Sequence, residues 1–135
     1  MAKVTVEVVT PERRILSQQV DEAIIPGSEG LFGVRPGHTA LLSLLDAGPL
    51  TLRDGATTQV FFVAGGFAQV NHDTVMVLAD QAEPVAAIDV GAAQKRLAEA
   101  QETLKTLSSA DAGFSVQSTA VRRETARIAL ATKRA

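Results

Sequence analysis

Residues 74–107, TVMVLADQAEPVAAIDVGAAQKRLAEAQETLKTL, contain the boundary between two kinds of secondary structure, because the spacing of the apolar residues changes at Pro84. Before Pro84 the segment Thr74 to Ala79 follows the turn signal Asn71-His72-Asp73 and reads as the second strand of a hairpin. After Pro84 the apolar residues recur at steps of three and four, as on one side of an amphipathic helix: Val90, Ala93, Leu97, Ala100, Leu104 and Leu107. The chain is therefore predicted to divide into a β domain over residues 1–84 and a helical domain over residues 85–135.

Short alternating segments separated by turn signals fill the first 84 residues. Residues 3–10, KVTVEVVT, predict a half-buried strand. Asp54-Gly55 and Asn71-His72-Asp73 lie between such segments and predict β-hairpins. Residues 26–38, PGSEGLFGVRPGH, contain four Gly and two Pro and are predicted to form an irregular loop, whereas ALLSLL at 40–45 fits either a strand or a helix. Many short strands at close spacing predict a compact β-sandwich or barrel.

Two helices are predicted in the C-terminal part, over about 89–108 and 117–133, with Asp89 and Ser118 as their N-caps. The segment SSADAGFS between them is predicted to be a link, so the helices form an antiparallel hairpin. Few large apolar side chains lie at the seam, and each contributes about 1.5–3 kcal/mol against about 1–2 kcal/mol of backbone entropy per ordered residue. The hairpin should therefore be marginal alone, which fits both a plain cap on the β domain and a detachable switch element.

Composition excludes several classes of protein. The chain has no Cys, so it has no disulfide scaffold, thiolate metal site or Cys nucleophile. Its net charge of −2 and its five Phe, without Trp or Tyr, disfavour a nucleic-acid-binding module. The longest nearly apolar run, residues 60–68, is far shorter than the roughly 18 residues of a membrane span. The N-terminus shows no signal or transit pattern, which predicts a soluble protein that meets a membrane only through a partner.

No pattern of catalytic residues emerges from the sequence. Gly27, Gly30 and Gly33 lack the spacing of a phosphate-binding loop, and backbone turns explain them better. Neither His38 nor His72 has a second His or a Glu at the spacing of metal ligands on a helix. A structural hydrogen bond is the favoured role for His38, and a small enzyme that uses His38 is the competing hypothesis.

Two segments carry a family resemblance: residues 25–39, IPGSEGLFGVRPGHT, and residues 63–83, VAGGFAQVNHDTVMVLADQAE. Together with the order of strands and then two helices, they closely resemble the epsilon subunit of F-type ATP synthases, which is called delta in mitochondria. The resemblance implies a ten-stranded β-sandwich followed by the helical hairpin. It also implies a non-catalytic rotor subunit in the central stalk, which packs on the gamma subunit, rests on the c-subunit ring and transmits torque during ATP synthesis.

The resemblance implies particular contact residues. Those expected to meet the c ring lie in the Gly/Pro-rich segment: Ser28, Glu29, Gly30, Leu31, Phe32, Arg35 and His38. The Phe32 side chain fits the sandwich core equally well. The apolar run that follows is expected, more weakly, to face gamma through Leu41, Leu42 and Leu44.

The resemblance also bears on regulation by the helices. Some bacterial members bind ATP through a motif whose positions here are Ile88, Asp89, Ala92 and Ala93. The usual Arg is replaced by Ala92, which predicts weak or no ATP binding. No cofactor and no metal are expected. A nucleotide-sensing module stays an alternative, and calorimetry with ATP tests it. The helices are expected to inhibit ATP hydrolysis by meeting the alpha/beta catalytic head through a basic face: Arg122, Arg123, Arg127, Lys133 and Arg134. The expected location is the cytoplasmic face of a bacterial inner membrane, as a peripheral part of the synthase.

Overall fold

A computed structural model describes residues 2–133 of the chain. The chain divides into two compact units between Pro84 and Val85. The described part of the first unit contains ten strands: β1 Val4–Val9, β2 Arg14–Val20, β3 Glu22–Gly27, β4 Gly30–Val34, β5 His38–Leu44, β6 Gly48–Asp54, β7 Thr57–Ala64, β8 Phe67–His72, β9 Thr74–Leu78 and β10 Gln81–Pro84. The described residues of the second unit form a 3₁₀ turn and two helices: Val85–Ala87, α1 Val90–Leu104 and α2 Ala112–Lys133.

The strands form two five-stranded sheets, in the orders β2-β1-β9-β8-β5 and β10-β7-β6-β3-β4. Neighbouring strands are antiparallel except for β1 and β9, which are parallel. The predicted β-sandwich followed by two helices is confirmed.

The core lies between the sheets and is built from alternate residues of each strand. In β1, Val4, Val6 and Val8 are fully buried while the residues between them are partly exposed. Leu50 and Leu52 of β6 repeat the pattern in the other sheet. Burying a side chain of this kind contributes about 1.5–3 kcal/mol, so the alternation selects which face of each strand turns inward.

Both predicted hairpins are present. Asp54 pairs with Thr57 across the β6–β7 turn, and Asn71 pairs with Thr74 across the β8–β9 turn. His72 is exposed and has a φ of 53°, which is the left-handed conformation that such tight turns require.

The prediction of an irregular loop over 26–38 is wrong. The end of β3 pairs with β4 through Pro26 with Leu31 and Gly27 with Gly30, which leaves Ser28 and Glu29 as a two-residue turn. Glycine is needed here because Gly30 has a φ of +123°. The Gly and Pro residues therefore mark turns between strands rather than the loss of strands, and the ambiguous run at 40–45 belongs largely to β5.

The helix boundaries also differ from those predicted. The first helix ends at Leu104 rather than 108, and the second begins at Ala112 rather than 117. The Asp111 carboxylate accepts the Ser108 backbone N–H at 2.7 Å, and this local turn starts α2 early, so Ser118 lies inside the helix and does not cap it. Asp89 does cap α1, because its side chain accepts the N–H of Ala92 at 3.0 Å.

An ion cluster ties two turns of the sandwich together. Lys3 lies between the carboxylates of Asp21, before β3, and Asp54, at the end of β6. The backbone N–H of Gly55 donates to Asp21, and this hydrogen bond, with a smaller contribution from Lys3, lowers the pKa of the Asp21 carboxyl below its ordinary value of 3.8. The hydrogen bonds to Asp54 and then to Asp21 raise the pKa of Lys3. The lowered pKa of Asp21 favours the folded state above pH 3.8, and that contribution disappears as the pH falls through the folded-state pKa.

The turn between β7 and β8 yields a stability prediction. Gly66 has a φ of +84°, and a Cβ atom there would lie 1.9 Å from the carbonyl oxygen of Leu78. Gly37 has nearly the same φ, +83°, but a Cβ there would meet nothing within 4 Å. We expect Gly37→Ala to cost about 1–2 kcal/mol of unfolding free energy for the left-handed backbone, and Gly66→Ala to cost at least about 2 kcal/mol more because the backbone must move.

Urea unfolding followed by circular dichroism measures both variants on the full chain. Equal losses for the two variants would contradict the close approach of Gly66 to β9.

Candidate protein-contact site

The turn between β3 and β4 is the exposed tip of the predicted c-ring segment. Ser28, Glu29, Gly30 and Leu31 are all exposed there, and Leu31 is an apolar side chain in solvent. The turn is held in place because the Ser28 backbone N–H donates to the Leu44 carbonyl at 2.8 Å. A tip fixed in this way loses little conformational freedom when it binds a partner.

Phe32 follows this exposed tip in β4 but is less exposed. Its side chain is half-buried and packs against the sandwich core. A Cβ atom on Gly27 would lie 2.9 Å from Phe32 Cε1, so Gly27 leaves room for the ring. Core packing, one of the two roles that the sequence left open for Phe32, is therefore present in the structure.

Arg35 and His38 each have a local partner. The Arg35 Nε donates to Glu22 Oε2 at 3.4 Å, and Arg35 is otherwise exposed. The His38 ring is half-buried, with Nδ1 2.6 Å from the Thr39 carbonyl oxygen, so this nitrogen is the protonated donor. This is the kind of structural hydrogen bond that the sequence favoured for His38.

The three leucines proposed to face gamma lie on β5, one of the two edge strands of its sheet. Leu42 and Leu44 are each 67% exposed, and Leu41 is 41% exposed. Leu42 pairs with Gln69 and Leu44 with Phe67, so the two leucines share one face of the sheet. An edge strand that exposes three leucines is typical of a protein contact and is hazardous for a chain without a partner.

The residues at the positions of the degenerate ATP motif pack in the interior or form the N-terminal cap of α1. Ile88 and Ala93 are buried, and the Asp89 carboxylate is used as the N-cap of α1. Ala92 supplies its backbone N–H to that cap and has no charge to offer a phosphate. Within residues 2–133, no group of three or more His, Asp or Glu side chains is placed to hold a metal ion.

The predicted basic face on α2 needs correction. Arg122 and Lys133 are exposed and Arg123 is half-buried, but Arg127 is buried. Arg127 Nη1 lies 2.5 Å from Oε1 of Glu124, which is also buried. The three-residue separation puts the two groups on one side of the helix. Arg134 lies outside the described residues.

A groove of about 320 Å³ runs between α1 and α2. Most of the residues that line the groove are polar, and the other two are alanines. The lining residues are Arg96, Glu99, Ala100, Thr103, Gln117, Ala120 and Glu124. Glu124 therefore contributes both to this groove and to the buried ion pair with Arg127.

The buried pair yields a second stability prediction. Glu124→Gln should cost about 1–3 kcal/mol, because Arg127 then keeps its charge in a buried position without this carboxylate. The matched control is Glu102→Gln, since Glu102 pairs with Lys105 at the same spacing in α1 but both side chains are more than 70% exposed. The control should change stability by less than about 0.5 kcal/mol.

Thermal and urea unfolding monitored by helical circular dichroism measure both variants. Equal losses of unfolding free energy for Glu124→Gln and Glu102→Gln would show that burial does not increase the contribution of the Glu124–Arg127 pair to stability.

The helices and the relatives of the chain bear on its identity. Among the described helices none is long and apolar enough to cross a membrane.

A family model described as ATP synthase, Delta/Epsilon chain, beta-sandwich domain matches residues 3–85. The ATP synthase epsilon chain of Myxococcus xanthus is 60% identical over 97% of this chain and 96% of its own length. That of Anaeromyxobacter dehalogenans (strain 2CP-C) is 45% identical over 94% of this chain and 96% of its own length.

Solved structures agree with the sequence relatives. A chain in the Euglena gracilis mitochondrial ATP synthase OSCP/F1/c-ring structure superposes with a TM-score of 0.80 at 26% identity, covering 96% of this chain and 81% of that one. A chain of the Tetrahymena thermophila mitochondrial ATP synthase, central stalk/c-ring, has a TM-score of 0.58 at 19% identity and supports the fold alone. With a sandwich followed by two helices, and relatives matched along nearly their whole length, the chain belongs to the delta/epsilon family of ATP synthase subunits.

Proposed function

We propose that this chain is the non-catalytic epsilon subunit in the central stalk of a proton-translocating F-type ATP synthase. It couples rotation of the c ring, through gamma, to ATP synthesis. The observation that carries the proposal is the 60% identity to a bacterial ATP synthase epsilon chain over 97% of this chain. The bacterial relatives also support a peripheral position on the cytoplasmic face of the inner membrane.

The c ring is the proposed partner of the β3–β4 turn. The turn is exposed, its backbone is held by the Ser28–Leu44 hydrogen bond, and Leu31 offers an apolar contact. The superposed Euglena chain belongs to an assembly of OSCP, F1 and the c ring, which supports this choice of partner.

Gamma is the proposed partner of β5. Leu42 and Leu44 expose most of their apolar surface on an edge strand, and burial of such surface stabilises association by about 25 cal/mol per Å². Covering this edge also removes a site at which copies of the chain would otherwise associate.

Rebinding to an ATP synthase complex depleted of this subunit tests the proposal. The wild-type chain should bind one-to-one and restore coupling, whereas Leu42→Glu/Leu44→Glu should weaken binding at least tenfold, about 1.4 kcal/mol. Both side chains are exposed, so the double variant should fold normally.

The matched control is Val116→Glu, which places the same charge at an apolar residue that is 64% exposed on α2. A wild-type chain that ignored the depleted complex would contradict the rotor role. Wild-type binding with no effect of the double variant would contradict the β5 contact alone.

The helices are proposed to restrain ATP hydrolysis through the alpha/beta head. Arg122 and Lys133 are exposed on α2 and have the sign of charge that an acidic partner requires. No observation favours the nucleotide-sensing alternative, because Asp89 is used as a helix cap.

Deletion of residues 88–135 tests this restraint. The complex that contains the shortened chain should hydrolyse ATP faster than the complex with the full chain. An unchanged hydrolysis rate, at equal occupancy of the shortened chain, would contradict the proposed restraint.

A further inference from the structure

The turn between β6 and β7 contains the one Asp-Gly sequence of the chain, Asp54-Gly55. Asp54 is the last paired residue of β6 and lies opposite Thr57, so Gly55 and Ala56 form the turn. Aspartate followed by glycine is the aspartyl sequence most prone to rearrange to isoaspartate, because glycine has no side chain to hinder attack by its own backbone nitrogen. The chain contains no Asn-Gly sequence, so this turn is the position where the amino-acid sequence favours such a rearrangement most.

The rearrangement is the loss and then the gain of one water molecule. The Gly55 nitrogen attacks Cγ of Asp54, a C–N bond forms, and the amide hydrogen leaves with the carboxyl hydroxyl as water. Water then opens the resulting five-membered imide at one of its two carbonyl carbons. Opening at Cγ restores aspartate, whereas opening at the backbone carbon leaves the chain running through the side chain of Asp54. Isoaspartate adds a methylene to the backbone, so it would disrupt the pairing of Asp54 with Thr57.

Both reacting groups are held by other residues of the folded chain. The Gly55 backbone N–H donates to Asp21 Oδ2 at 2.7 Å, so the attacking nitrogen is directed at a different carboxylate. The Asp54 carboxylate, which must lose an oxygen, forms an ion pair with Lys3. Lys3 Nζ also lies 3.1 Å from Asp21 Oδ1, so the two restraints belong to one cluster.

The backbone of Asp54 opposes the same reaction. Asp54 lies in β6 and pairs with Thr57, so its backbone is extended. An extended residue turns the next backbone nitrogen away from its own side chain, whereas the five-membered ring needs the two nearly eclipsed about the Cα–C bond. Asp54 must therefore leave the strand conformation before the ring can close, and the hydrogen bond from Gly55 to Asp21 opposes that movement.

The cluster keeps its charges near neutral pH. The hydrogen bond from Gly55, with a smaller contribution from Lys3, lowers the pKa of the Asp21 carboxyl. The hydrogen bonds to Asp54 and then to Asp21 raise the pKa of Lys3. An ionised carboxylate is a stronger acceptor for a backbone N–H than a neutral group, so the restraint on Gly55 persists at neutral pH.

We propose that Asp54-Gly55 is an isoaspartate-forming site and that Asp21 and Lys3 protect it in the folded chain. Asp21 restrains the attacking nitrogen, and Lys3 restrains the carboxylate under attack. The competing role for Asp21 is that of a base that removes the Gly55 amide proton and speeds the attack. The two roles predict opposite effects when Asp21 is replaced.

Prolonged warm incubation of the purified full chain at neutral pH tests the proposal. The chain is then denatured and digested with an endoproteinase that cleaves before aspartate but not before isoaspartate. Mass spectrometry measures the uncleaved fraction at position 54, and the other aspartates of the chain report the efficiency of digestion.

Asp21→Ala should form isoaspartate about fivefold faster than the wild type, which is about 1 kcal/mol of activation free energy, because a hydrogen bond to a charged group is lost. Asp21→Asn keeps an acceptor for the Gly55 N–H and should lie between the two. Lys3→Gln should raise the rate about threefold, in keeping with the smaller contribution of an exposed ion pair.

Glu7→Gln is the matched control, because it removes a carboxylate from an ion pair with Arg14, at 3.7 Å, in the other sheet. It should leave the rate at the wild-type value. Incubation in urea removes the folded structure, so the wild type and Asp21→Ala should then react at the same rate. Gly55→Ala should react more slowly in urea, where folding has no influence, because its Cβ hinders the attack.

General loss of stability is tested separately by Gly66→Ala, incubated under conditions in which circular dichroism shows it folded. If it forms isoaspartate as fast as Asp21→Ala does, the protection by the cluster is overturned. A slower reaction of Asp21→Ala overturns it in favour of the base, and an unchanged rate overturns both roles. A difference between wild type and Asp21→Ala that persists in urea also overturns it. Faster reaction of Asp21→Ala in the folded chain alone, with Glu7→Gln unchanged, supports it.

Discussion

The burial of one face of β1 is the interaction on which the rest of the sandwich depends. β1 pairs with β2 on one side and with β9 on the other, and its valines Val4, Val6 and Val8 are fully buried. A shift of one residue in either pairing would turn these side chains to solvent, so burial selects the register. The register in turn decides which turns and edge strands meet at the ends of the sheets.

The proposed contact surfaces are consequences of that register. The end of β3 and the end of β5 are joined by the pairing of Gly27 with Leu45, and the Ser28–Leu44 hydrogen bond holds the exposed turn beside them. The proposed contact residues thus lie at the surface of a β-sandwich whose stability comes from its valine-rich core. A rigid frame of this kind suits a subunit that must transmit torque, because it deforms little under load.

Much of this was accessible from the sequence, and the errors have physical causes. Alternation in 3–10 and the steps of three and four after Pro84 correctly predicted strands and helices, because both periods reflect one buried face. The irregular loop predicted over 26–38 is wrong because glycines there form the turn between β3 and β4 rather than breaking the strands. The predicted start of α2, residue 117, is too late because the hydrogen bond between Ser108 and Asp111 closes a turn directly before Ala112, where the helix begins.

The amino-acid sequence was enough to predict the two-part architecture, the hairpin turns, the Asp89 cap and the family resemblance, because each of these depends on residues close together in the chain. Three features follow from the tertiary structure alone: Phe32 packs on the core, Arg127 is buried with Glu124, and Glu22 lies between Arg35 and Arg53. Register and burial are set by the whole core at once. Local sequence therefore does not reveal which of several charged or apolar side chains will face a distant partner in the fold.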